Sequence, residues 1–96
     1  MRSRDEILNL LYPRKAEIRH RFSAERIGVF GSCVRGMARA DSDIDILVEF
    51  SEPTFDHYMD LKFYLEDLFG APVDLVLADC VKPRLKPVIA AEVVYA

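Results

Sequence analysis

The chain has 96 residues, which is one domain over 1–96 with no length for a second core. Apolar residues make up 51% of it, enough for an ordinary core, and the net charge of −3 argues against a general nucleic-acid binder. No apolar run reaches the roughly 20 residues of a membrane span, and the charged start (Arg2, Arg4, Asp5, Glu6) lacks a signal-peptide stretch. Cys33 and Cys80 stand apart without metal-ligand spacing, so a cytoplasmic protein with reduced thiols is expected.

Ser3-Arg4-Asp5-Glu6 reads as a capping box, with Ile7, Leu10 and Leu11 following at helical spacing. Pro13 either kinks one long helix or opens a second, whose stripe is Ala16, Ile18 and Phe22. Arg26-Ile27-Gly28-Val29-Phe30 is a buried strand that turns at Gly31. Residues 32–38 have room only for a short helix, since Gly36 is a poor helix former, and Ala40-Asp41-Ser42 is turn chemistry. A second strand, 44–50, puts Ile44, Ile46, Val48 and Phe50 on one face and Asp45, Leu47 and Glu49, in line with Asp43, on the other.

Thr54 caps a helix over 55–69 that ends at Gly70. Its apolar positions cover more than one face, so it either packs between the sheet and the C-terminal helix or keeps surface for a partner. Val73-Asp74-Leu75-Val76-Leu77 is a third strand, and 78–80 a loop. Pro83 opens a last helix with Leu85, Val88 and Ile89, and Val93-Val94-Tyr95 makes a short terminal strand. His20 and His57 read as surface residues.

Asp43 and Asp45 lie two apart on a strand, which points both carboxylates the same way at roughly 7 Å. Like charges on a half-buried face repel and lose hydration, a conflict that a divalent cation removes. Mg²⁺ suits the place because it takes hard oxygen ligands from carboxylates and substrate phosphates. Surface acids on an exposed edge strand are the other reading of this pair.

Topology bears on the choice. The helix between the second and third strands has crossover length, so those strands run parallel with aligned starts, and Asp74 falls beside the Asp pair. Gly31 ends its strand, so it meets Asp43 and Asp45 only if the first two strands are antiparallel. A mixed sheet then carries Gly31, Ser32, Asp43, Asp45 and Asp74 along one edge. There Gly31 allows close backbone approach to a phosphate, and Ser32 opens a short helix with free amides. Arg35 reaches either a phosphate or a nearby Asp. Three carboxylates suit two ions that activate an attacking oxygen and stabilise a leaving pyrophosphate.

Charge is uneven along the chain. Residues 1–39 hold nine Lys/Arg against four Asp/Glu, and residues 40–96 four against twelve. Solvated helix faces account for this, as does a basic rim for phosphates beside an acidic half for cations or a basic partner.

Gly31-Ser32, ten residues, Asp43-x-Asp45 and the later strand residue Asp74 resemble, without a gap, the signature of the minimal nucleotidyltransferases of the DNA polymerase β-like superfamily. The contexts Gly31-Ser32-Cys33-Val34-Arg35-Gly36 and Asp41-Ser42-Asp43-Ile44-Asp45 are typical of its small stand-alone members, and the resemblance covers nearly the whole chain. It implies the nucleotidyltransferase fold, an α/β (α+β) domain with a small mixed sheet flanked by helices. It implies Mg²⁺-dependent transfer of AMP, or another NMP, from ATP or another NTP to a hydroxyl. Asp43, Asp45 and Asp74 are then the catalytic metal ligands, with Asp74 on the ion nearer the attacking hydroxyl. Small members of this kind look like antitoxins paired with HEPN-domain RNase toxins, so a toxin tyrosine is the implied acceptor. A purely non-enzymatic neutralising module and transfer to a small molecule or RNA end are the competing functions. Oligomeric state stays open.

Overall fold

The computed structural model describes residues 3–31 and 44–96. Within them, helices α1 (Arg4–Leu11), α2 (Lys15–Phe22), α3 (Phe55–Phe69) and α4 (Lys86–Glu92) flank a four-stranded sheet. Its strands are β1 (Ala24–Phe30), β2 (Ile44–Phe50), β3 (Val73–Leu77) and β4 (Val94–Tyr95), in the order β3-β2-β1-β4. β1 is antiparallel to β2 and β4, while β2 and β3 are parallel across the α3 crossover. This is the mixed α/β sheet that a shared Gly31–Asp site requires.

Local chemistry explains most boundaries. The Ser3 hydroxyl accepts from the Glu6 backbone N–H at 3.2 Å and caps α1. Pro13 sits in a single 3₁₀ turn, Tyr12–Arg14, which separates α1 from α2 and so decides between a kink and a second helix. β1 begins at Ala24, two residues earlier than its apolar run suggests, because antiparallel pairing with β2 extends from Phe30 back to Ala24. Thr54 Oγ1 accepts from the His57 N–H at 3.1 Å, and α3 ends at Gly70 with φ +65°.

Three expectations are corrected. The last helix starts at Lys86, not at Pro83, which lies in a preceding turn. A helix begun at Pro83 would place Pro87 at its fifth residue, where the missing N–H breaks an i→i−4 bond; starting at Lys86 puts Pro87 in the first turn, where no such bond is due. Residues 78–80 form a 3₁₀ turn instead of a loop. The third concerns α3, which packs mainly against β3, α1 and α2 on the core face, while the C-terminal helix lies against the other face.

Register sorts the sheet into two faces, because directly paired residues point the same way. One face carries Ile27, Val29, Ile44, Ile46, Val48, Val73 and Leu75, all buried in one cluster with Ile7, Leu11, Ile18, Leu61, Leu65 and Phe69 of α1–α3. The other face carries three rows: Phe30–Asp45–Asp74, Tyr95–Gly28–Leu47–Val76, and Arg26–Glu49. Gly28 is glycine for space, since a Cβ there would come within 2.8 Å of Val93 Cγ2 and 3.0 Å of Tyr95 Cδ1. α4 runs over this second face, and the row holding the carboxylates opens at its edge.

β3 is an edge strand, and α3 covers its outer rim. Pro72 O accepts from Ile44 N–H toward β2, so the groups of Val73 and Leu75 face outward. Val73 N–H donates to Glu66 Oε2 at 3.0 Å, and the Tyr58 hydroxyl donates to Leu75 O at 2.7 Å. Both partners come from α3, which satisfies backbone groups that an open edge would leave for another chain.

Candidate active site

The site grows from three adjacent strand ends. Phe30 pairs with Asp45 across β1 and β2, and Asp45 pairs with Asp74 across β2 and β3. Strand spacing alone sets the two carboxylates side by side at about 5 Å between backbones. Gly31 follows Phe30 and turns the chain with φ +74°. A Cβ at Gly31 would overlap Asp45 Oδ2, so the carboxylate fills the space that glycine leaves empty. This role is additional to the close phosphate approach expected of Gly31, and it ties the glycine to Asp45, the second aspartate of the Asp43-x-Asp45 pair.

These residues line a cleft of about 370 Å³ together with Val76, Cys80, Val81, Lys82, Leu85, Ile89 and Glu92. Gly31 is buried, Asp45 half-buried and Asp74 exposed, so the carboxylate row runs from the sheet interior to solvent. One wall is apolar, from Val81, Leu85 and Ile89, and the floor holds the acids. Two carboxylates on adjacent strands are oxygen donors of the kind Mg²⁺ takes. Among the described residues no group of three His, Cys, Asp or Glu forms a cation site, and Asp45 and Asp74 remain a pair. Ser32, Arg35 and Asp43 lie outside the described residues, as does the short helix expected over 32–38.

His57 stands apart from this site. It is half-buried at the start of α3, and its Nδ1 lies 2.7 Å from Glu52 O, so Nδ1 carries the proton it donates there. The wall residues Val81, Lys82, Leu85 and Ile89 were not singled out by sequence motif. Their signal is positional only: they follow the strand of Asp74 and lead back over the sheet toward β4.

A mixed sheet that presents paired aspartates at the start of β2 and β3, opposite a glycine turn, is the arrangement that the resemblance to nucleotidyltransferases implies. The chain belongs to the nucleotidyltransferase domain family, whose model matches residues 15–96. It is 47% identical to the protein adenylyltransferase MntA of Thermococcus cleftensis over 92 residues, covering 95% of this chain and 93% of that protein. A solved “putative minimal nucleotidyltransferase” superposes with TM-score 0.76 at 40% identity, covering 92% of this chain and 93% of its own. A complex of a tri-AMPylated Shewanella oneidensis HEPN toxin with an MNT antitoxin shares the fold, with TM-score 0.62 at 20% identity over 92% of this chain and 68% of that one.

Proposed function

We propose that this chain transfers AMP from ATP to a hydroxyl of a partner protein, a tyrosine of a HEPN-domain toxin, and so acts as an antitoxin. The observation that carries the reading is the paired register of Asp45 and Asp74 beside the Gly31 turn. The close relationship to a protein adenylyltransferase supports AMP as the group and protein as the acceptor. The AMPylated HEPN toxin bound to an antitoxin of the same fold supports the choice of partner. All 96 residues serve as one functional domain, working in the cytoplasm; among the described residues no helix is long and apolar enough to cross a membrane.

In this reading Asp43, Asp45 and Asp74 hold Mg²⁺, as two ions, and Gly31, Ser32 and Arg35 hold the phosphates. When bound, the ions neutralise charge on the leaving pyrophosphate and favour the ionised form of the attacking hydroxyl. The protein's own part is positioning. β2 and β3 fix the carboxylates by backbone pairing, Gly31 leaves room for Asp45, and the cleft leaves Asp74 open to the acceptor side. The acceptor oxygen bonds to the α-phosphorus, the bond to the bridging oxygen breaks, pyrophosphate leaves, and the hydroxyl proton passes to solvent.

The test is the mass of the toxin after incubation with this chain, ATP and Mg²⁺. One added AMP or more is expected, and Asp45→Asn or Asp74→Asn abolishes it while the variant still binds the toxin. An unmodified toxin under conditions where nucleotide binds refutes protein adenylylation. Retained neutralisation by both variants would favour neutralisation by contact alone.

A further inference from the structure

We propose that Lys82 is a binding residue for the polyphosphate of the donor nucleotide, a role that rests on the transferase reading above and adds a group outside its sequence signature. Lys82 lines the same cleft as Asp45 and Asp74 and is the cation among the described lining residues, where Asp45, Asp74 and Glu92 are the acids. Despite these neighbours its ammonium forms no ion pair with a described residue; the ion pairs between described residues are made by Arg4, Arg19, Arg21 and Arg26, away from the cleft. A lysine in an acid-lined cleft that bonds none of the acids keeps its charge for a ligand.

The backbone at Lys82 is fixed even though the side chain is exposed. Its carbonyl accepts from Leu85 N–H at 2.8 Å and from Lys86 N–H at 3.2 Å, and Pro83 restricts the backbone of Lys82, the residue before it. That turn comes after the 3₁₀ turn that follows β3 and places Lys82 in the lining of the cleft that holds Asp45 and Asp74. A triphosphate entering this row would bring several negative charges next to carboxylates, and Lys82 is the described lining residue with a charge to offset them. The ammonium is a compact charge with three rotatable donors, suited to such oxygens as they move during reaction.

The experiment is calorimetric titration of the whole chain with a non-hydrolysable ATP analogue and Mg²⁺, with no acceptor present. Lys82→Met, which keeps length and removes charge, is expected to bind about tenfold more weakly, the loss of one charge-assisted contact. Lys82→Arg restores affinity to within about twofold, and AMP, with fewer charges, loses less than the analogue does. Thermal melting shows that both variants are folded. Unchanged affinity in Lys82→Met overturns the assignment, as does an equal loss in Lys82→Arg. Unchanged nucleotide affinity with weakened capture of the toxin makes Lys82 a docking residue and also overturns it. If the wild-type chain binds no nucleotide, the transferase reading itself fails, and that result is distinct from a failure confined to Lys82.

Discussion

Gly31→Ala isolates the link between the turn and the aspartate. Two costs arise. Alanine at φ +74° takes a left-handed conformation, which costs about 1–2 kcal/mol for a residue with a Cβ. The new Cβ also overlaps Asp45 Oδ2 and drives that side chain off its rotamer, at about 1 kcal/mol. The stiffer unfolded chain offsets about 0.5 kcal/mol. The net loss is about 2 kcal/mol, or a melting temperature lower by about 8–16 °C for a domain of this size. Asp45→Ala removes the overlap, so in that background Gly31→Ala loses only the backbone part, and the double-mutant cycle yields a coupling of about 1 kcal/mol. The assay is thermal and urea unfolding of the four proteins, with toxin mass as the activity readout. Equal costs in both backgrounds would refute the claim that Gly31 exists to seat the Asp45 carboxylate.

Glu66→Ala leaves the outward Val73 N–H without its acceptor and costs about 1–2 kcal/mol by urea unfolding; Glu66→Gln, which keeps a carbonyl acceptor, costs less than half of that. Ser23 ends α2 with φ +60°, so Ser23→Gly raises stability by about 1 kcal/mol, read as a higher melting temperature. Tyr64 has its pKa raised, first by burial and then by its hydrogen bond to Glu17. Its neutral form is therefore favoured in the fold: the contribution is complete below the unfolded tyrosine pKa and is lost as pH rises through the folded one. Tyr64→Phe flattens that alkaline fall in melting temperature. The Glu17 carboxyl is held below its ordinary pKa, first by hydrogen bonding to Arg21 and then to Tyr64, so its contribution is present above the unfolded value and fades as pH falls through the folded one. Glu17→Gln removes that acid-side slope.

Backbone pattern was readable from the chain to the extent that it is local. Alternation in 44–50 separates a core face from a site face, and the same split holds in the paired register. The parallel second pair followed from the crossover length of the helix over 55–69, and an antiparallel first pair was the condition for Gly31 to meet the aspartates; both are present. Helix starts near two prolines were less legible, because Pro83 and Pro87 are each acceptable in a first turn and only one start satisfies both. The partner of α3 was not legible either. Its apolar positions exceed one face, but nothing local says that α1 and α2, rather than α4, lie above them. Lys82 carries no motif, and its place in the cleft appears only once the turn after β3 is folded over the sheet.

The two faces of the sheet separate stability from chemistry. The core face is apolar on each of the three longer strands and sealed by three helices, so substitutions on the site face leave that packing intact. The acids therefore sit where their mutual repulsion opposes a well-supported sheet. Asp74 lies on the edge strand, which pairs on one side only and would otherwise fray. Glu66 and Tyr58 hold its outer rim from α3, flanking the position of Asp74 along the strand. The crossover helix thus does two things with one length of chain: it sets β3 parallel to β2, which brings Asp74 level with Asp45, and it fixes the rim that keeps Asp74 there. A carboxylate on an edge strand stays open to solvent, and the two bonds from α3 make that exposure compatible with a fixed position.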